Sequence, residues 1–146
     1  MTPSVIIDSS LSLKWFFKDE KEADYALSVL EDFVNNKIAI IVPTIWLYEM
    51  ANGVRTAVLR KRISLKKGSS FINDLTKILP KLEDFEPLLK EAFAIAKQFE
   101  LSIYDGSYLA LAKMREIQFF TGDEKLYRKV KGKFKWIKRV LEYKSS

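Results

Sequence analysis

Apolar positions recur along the chain with two distinct periods. Short unbroken runs, Val5-Ile6-Ile7 after Ser4 and Ile38-Ala39-Ile40-Ile41-Val42, have the length and β-branched content of buried strands. Gln118-Phe119-Phe120-Thr121 reads as a third. Between these runs, apolar residues return every three or four positions, the one-faced period of a helix. Leu11 to Phe17 predicts a short helix. Residues 21–35 predict a longer one, with Ala23, Ala26, Leu27, Leu30, Phe33 and Val34 inward and Asn35-Asn36 as its stop. Pro43 suits the entry to a helix reaching about Lys61, with Trp46, Met50, Val54 and Ala57/Val58 on one face. A helix over about 64–78 contains Gly68, and Leu79–Glu86 reads as a connection. From Pro87 to Phe99 the pattern is strongly amphipathic, with Leu88, Leu89, Ala92, Phe93, Ala96 and Phe99 expected inward. Ser102 opens a helix over about 103–114, Asp123 caps a short one to about Val130, and Trp136–Leu141 predicts a final edge strand. Apolar strands separated by helices predict an α/β layered fold around a parallel sheet. No repeat, low-complexity tract or Gly/Pro-rich linker divides the chain, so residues 1–146 are expected to form one domain.

Composition narrows the chemistry. The 146 residues include no cysteine and no histidine. This excludes disulfides, zinc fingers, iron–sulfur clusters, Cys-His and Ser-His-Asp catalysis and any imidazole acid or base. What remains is carboxylates, hydroxyls, Lys, Arg or a bound cofactor. The charge is +6, from 25 basic and 19 acidic residues, and it is unevenly spread. Residues 1–50 carry 4 basic and 8 acidic side chains, whereas residues 101–146 carry 11 and 5. No acid lies between Glu49 and Asp74, where Arg55, Arg60, Lys61, Arg62, Lys66 and Lys67 fall. A second basic block runs from Lys125 through Arg128, Lys129, Lys131, Lys133, Lys135 and Lys138 to Arg139. Such blocks serve either as solvated faces or as phosphate contacts. The longest apolar run, Ile38 to Tyr48, is broken by Pro43 and is far shorter than the ~20 residues that span a bilayer. With no basic leader before Asp8, a cytoplasmic protein without membrane contact is expected.

Four carboxylates sit at or near strand-to-helix handovers, where α/β folds bind ligands. Asp8 ends the first strand, Glu49 lies in the helix after the second, Asp105 in the first turn of its helix, and Asp123 follows the third strand. Asp8 and Asp123 also suit simple helix N-caps, and Ser102 with Asp105 has near capping-box spacing. Glu49, among Trp46, Leu47, Tyr48, Met50 and Ala51, shares a polar stripe with Asn52 one turn on. Acids converging at one sheet end would repel each other unless a cation joined them. Oxygen-only ligands suit Mg²⁺ or Mn²⁺, which could activate water where no histidine exists. Beside basic flanks, such a centre fits phosphodiester cleavage in nucleic acid.

Four blocks in register resemble the PIN-domain family, most closely its VapC-type ribonuclease toxins. They are Val5-Ile6-Ile7-Asp8-Ser9-Ser10, the segment from Pro43 to Asn52, the segment from Leu101 to Ala112, and Thr121-Gly122-Asp123-Glu124-Lys125-Leu126. The resemblance implies a PIN-like three-layer fold, with a central parallel sheet of four to five short strands flanked by helices. It implies an endoribonuclease dependent on Mg²⁺ or Mn²⁺, a homodimer, and a small VapB-like antitoxin that blocks the acidic pocket. Asp8, Glu49, Asp105 and Asp123 fall on the family's acidic quartet, with Asp8, Asp105 and Asp123 expected as metal ligands. Ser9, Asn52 and Thr121 fall on polar positions expected to hydrogen-bond ligands or substrate. Gly106 stands where the family often has alanine, which would loosen that helix start. Only Glu124 accompanies Asp123, so one well-occupied ion is expected, a second being recruited by substrate if at all. Stand-alone RNA processing and a non-catalytic module binding RNA or protein are the alternative roles. A receiver-like signalling domain fits poorly, because Ser9-Ser10 follows Asp8 and no Asp closes Ile38–Val42.

Overall fold

A computed structural model describes residues 2–145. Its centre is a five-stranded, all-parallel sheet in the order β3-β2-β1-β4-β5. The strands are β1 (Ser4–Ile7), β2 (Ala39–Pro43), β3 (Lys81–Glu83), β4 (Phe119–Thr121) and β5 (Ile137–Arg139). After β1 come α1 (Ser9–Ser12), a 3-10 turn (Leu13–Trp15) and α2 (Ala23–Val34). Helices α3 (Ile45–Leu59) and α4 (Leu65–Lys77) join β2 to β3, and α5 (Glu86–Phe99) and α6 (Ile103–Arg115) join β3 to β4. The last two strands are joined by α7 (Glu124–Val130). From β1 to β3 the chain steps across the sheet one way, and from β3 to β5 it steps back. Right-handed crossovers therefore place α1–α4 over one face and α5–α7 over the other, giving three layers. Ile6, Ile7, Ile40, Val42 and Phe119 are fully buried between them, with Trp46 and Met50 of α3 and Leu109 and Leu111 of α6 closing the two sides. Among the described residues no helix is long and apolar enough to cross a membrane.

Three local expectations differ from the structure. The segment 79–86 is not only a connection, because it holds β3, an edge strand paired through Val42↔Leu82. Lys81-Leu82-Glu83 contains one apolar residue, so its strand state comes from the partner's backbone, not from its own pattern. The predicted helix over Leu11–Phe17 is an α-turn from Ser9 to Ser12 that tightens into the 3-10 turn. Finally, Leu89 and Phe93 point outward, 63% and 68% exposed, and Val34 is half exposed. The α5 stripe that faces the core is Leu88, Ala92, Ile95 and Ala96.

Gly106 does not loosen the start of α6. It is buried at the α5–α6 contact, where an added Cβ would lie 2.6 Å from the Ala92 carbonyl oxygen. The missing side chain lets the two helices approach closely and fixes the turn that carries Asp105.

Candidate active site

Because every strand is parallel, the carboxyl ends of β1, β2 and β4 share one edge of the sheet. The chain departs from central β1 toward β2, while β4 flanks β1 on the other side. That divergence leaves a crevice at the carboxyl edge. Asp8 sits there, immediately after β1, and is buried. Its Oδ1 accepts from the Leu11 amide at 3.0 Å and from the Ser10 hydroxyl at 2.6 Å, and its Oδ2 accepts from the Thr121 hydroxyl. It therefore does cap α1, as its local sequence suggested, and is also tied to β4 through Thr121. Thr121 in turn accepts from the Asp123 amide at 3.0 Å. Ser10 closes the same crevice by accepting from the Gly122 amide at 3.0 Å. Below them, Ser12 Oγ donates to the Asp8 carbonyl at 2.9 Å and accepts from Trp46 Nε1 at 2.9 Å, locking α1 against α3.

The other acids reach the same place from three helices. Glu49 lies on α3 and accepts at Oε1 from the Tyr108 hydroxyl of α6 at 2.5 Å, with Ser9 Oγ at 3.5 Å. Asp123 caps α7, its Oδ1 accepting from the Leu126 amide at 3.0 Å. Ser102 caps α6 by accepting from the Asp105 amide at 3.1 Å, but the Asp105 carboxylate does not reach back to complete a box. Asp105 and Asp123 line one cavity of about 270 Å³ together with Lys125 and Lys129. Glu49 and Asn52 line a neighbouring cleft of about 330 Å³ with Ile45, Tyr48 and Tyr104. Asn52 is exposed and lies in that cleft, away from the Asp8 network.

These carboxylates feel one another. Burial pushes Asp8 up to about 6 from its ordinary 3.8, against the lowering effect of its Ser10, Thr121 and Leu11 hydrogen bonds, and Asp123 adds to the rise. Asp105 is also raised, first by burial, then by the charges of Asp123 and Glu49, while Lys129 opposes the rise. Burial, then Glu49, Asp8 and Asp105, push the Tyr108 hydroxyl far up, so it stays a proton donor to Glu49. Four acids from separate parts of the chain thus share one electrostatic neighbourhood.

The oxygens left over bear on whether a cation fits. Both oxygens of Asp105, Oδ2 of Asp123 and Oε2 of Glu49 accept no hydrogen bond among the described residues. On Asp8, Oδ1 is filled by the Leu11 amide and the Ser10 hydroxyl, while Oδ2 keeps one lone pair beyond the Thr121 hydroxyl. All are hard donors without an imidazole or thiolate among them. As the side chains stand, no three acids among the described residues converge on a single point. The donor set therefore suits an ion that takes one or two carboxylates directly and completes its shell with water and phosphate oxygens, as Mg²⁺ does.

Sequence reasoning missed Ser10 and Tyr108. Ser10 lies two residues after Asp8, and Tyr108 lies one turn after Asp105 on the same face of α6, but their bonds form only when distant segments meet.

Comparison with known proteins settles the family. The PIN-domain profile matches residues 5–132. The chain belongs to the PIN-domain family. It is 24% identical over 129 residues to Ribonuclease VapC3 from Pyrobaculum aerophilum, covering 86% of this chain and 93% of that protein. Among solved structures, this PIN domain resembles PAE2754 from Pyrobaculum aerophilum, with a TM-score of 0.67, 24% identity and coverage of 97% of this chain and 93% of the other. A toxin–antitoxin complex from Klebsiella pneumoniae gives a TM-score of 0.62 at 14% identity, over 95% of this chain and 99% of the other. VapC20 of Mycobacterium tuberculosis, a sarcin–ricin-loop-cleaving toxin, gives 0.59 at 12% identity, over 85% and 93%. These likenesses establish the three-layer PIN fold.

Proposed function

We propose that this PIN domain, over residues 1–146, is a VapC-type toxin: an endoribonuclease that hydrolyses RNA phosphodiester bonds with Mg²⁺ or Mn²⁺. The observation that carries the reading is the convergence of Asp8, Glu49, Asp105 and Asp123 at one sheet edge in a chain without histidine. The relationship to Ribonuclease VapC3 points to the same activity. Asp8, Asp105 and Asp123 would hold the ion, directly or through water. When bound, the ion would lower the pKa of a water and offset negative charge developing on the phosphate. Thr121 and Ser10 hold the Asp8 carboxylate in one orientation, and Thr121 also fixes the Asp123 backbone. Tyr108 and Ser9 hold Glu49 toward the site, where its free oxygen orients the attacking water or a substrate hydroxyl. Asn52, in the adjoining cleft, would contact substrate. Lys125 and Lys129 line the Asp105–Asp123 cavity and supply positive charge for a phosphate.

The same reading includes a cytoplasmic location and two protein partners. One is a small VapB-like antitoxin covering the acidic cavities, a reading supported by the fold shared with a chain of a toxin–antitoxin complex. The other is a second copy of this chain, seated on the outward Leu89 and Phe93 of α5, which a lone subunit would leave in water.

Purified protein incubated with RNA should cleave it in Mg²⁺ or Mn²⁺ and stop in EDTA. Asp8→Asn and Asp105→Asn should lower the rate at least about a hundredfold while keeping the wild-type circular dichroism, a loss on the scale of removing one preorganised electrostatic contact to the transition state. Equal cleavage by wild type and both variants would assign the activity to a contaminant and end the proposal.

A further inference from the structure

The acidic cavity does not end at Lys129. It shares Glu100 and Lys129 with a larger cavity of about 520 Å³ lined by Lys97, Arg128, Lys131 and Lys133. That one shares Gln98, Phe99 and Lys133 with a third, of about 250 Å³, which reaches Lys135 and Trp136. The three adjoin in a line from the carboxylates to an indole ring.

The charges along this line are available. Lys97, Lys131 and Lys133 form no ion pair among the described residues, Lys131 resting only over the Tyr127 ring at 5.7 Å, and Arg128 has only a 3.6 Å contact with Glu124. In the other basic segment, by contrast, Arg62 is held at 2.9 Å by both Asp19 and Glu20. At the junction, Lys129 Nζ donates to the Glu100 carbonyl at 2.7 Å, which pins its ammonium beside Asp105. At the far end Trp136 is half-buried against the core, and Lys135 Nζ lies over its ring, 4.7 Å from the centre, as an exposed side chain that a stacking base would displace. Unpaired cations leading to an aromatic face are how proteins hold a single strand, phosphates on the lysines and a base on the ring. A protein partner would instead need an apolar centre.

We propose that this groove is a track for single-stranded RNA running away from the acidic cavity, with phosphates over Lys97, Lys131 and Lys133 and a base stacked on Trp136. The track presupposes the RNA nuclease reading above. It adds a direction for the bound strand and a reason for the lysines at every second position from 129 to 135.

Binding of an unstructured oligoribonucleotide of about 12 nucleotides is measured by fluorescence anisotropy across a KCl series in EDTA. Wild-type affinity should fall steeply with salt. The triple variant Lys97→Gln, Lys131→Gln, Lys133→Gln should lose at least about tenfold in affinity, and its log–log salt slope should flatten by about 2, at ~0.7 per phosphate contact on single strands. A control triple, Lys61→Gln, Lys66→Gln, Lys77→Gln, removes the same charge from exposed positions elsewhere and should keep the wild-type slope. Trp15 and Trp46 are buried, so quenching of tryptophan fluorescence by RNA reports Trp136 and should vanish in Trp136→Phe. Equal slopes in the two triple variants, or tighter binding of polyglutamate than of RNA, would overturn the track. If wild type still cleaves RNA in that case, the nuclease reading survives alone. Wild type that neither binds nor cleaves RNA would end both.

Discussion

Asp8 shows how one residue can be costly to the fold and necessary to the site. Its carboxyl titrates near 6 in the folded protein and near 3.8 when unfolded, chiefly because burial penalises the charge. Between those values the native state binds more protons, so this group's contribution to stability falls as pH rises through about 4 to 6. Above that window the penalty is complete, on the order of 3 kcal/mol for a shift of about two units. Asn at this position can still accept from Leu11 and Ser10 while donating to Thr121. In EDTA, Asp8→Asn should therefore be more stable than wild type at pH 7.5 by about 1–3 kcal/mol, with the gap closing near pH 4. Urea unfolding at the two pH values checks this, and an Asn variant less stable than wild type at pH 7.5 would contradict it. Asp8 could be picked out from sequence because an apolar strand run ends on it. Ser10 and Tyr108 were harder to assign, since their roles arise from contacts spanning 112 and 59 residues of chain.

At the scale of elements, Gly106 is the most constrained joint. Helices α5 and α6 pack closely there, and a methyl group would meet the Ala92 carbonyl, which as backbone has little room to yield. Gly106→Ala should cost about 1–2 kcal/mol, an overpacking penalty of 1–3 partly offset by alanine's better helix propensity. It should also slow RNA cleavage by displacing Asp105 next door. A urea midpoint and rate equal to wild type would show that the two helices separate freely. Sequence periodicity located α5 and α6 well but misjudged their outer face. Leu89 and Phe93 fit a helix stripe with Leu88, Ala92 and Ala96, yet α5 buries only a narrow band, chiefly on α6. Strand β3 was invisible for the opposite reason, since its pairing with β2 does not depend on an apolar run of its own.

For the molecule as a whole, the outward face of α5 bears on assembly. Light scattering should give twice the 17.0 kDa chain mass, and Phe93→Glu should shift it to the monomer without lowering the unfolding midpoint. A wild-type monomer at micromolar concentration would withdraw the second copy from the proposal. The parallel sheet and its helical layers were legible because α/β proteins encode them in alternating periods. The meeting of the acids followed from topology, with β1 central and β2 and β4 at its sides, so that loops far apart in sequence end at one edge.

That meeting is tested most directly by calorimetric titration of Mn²⁺ into the metal-free protein. Wild type should show a saturable site, and Asp8→Asn, Asp105→Asn and Asp123→Asn should each weaken it at least about tenfold, or ~1.4 kcal/mol. Affinity unchanged in all three variants would mean that the carboxylates share an edge of the sheet without sharing an ion.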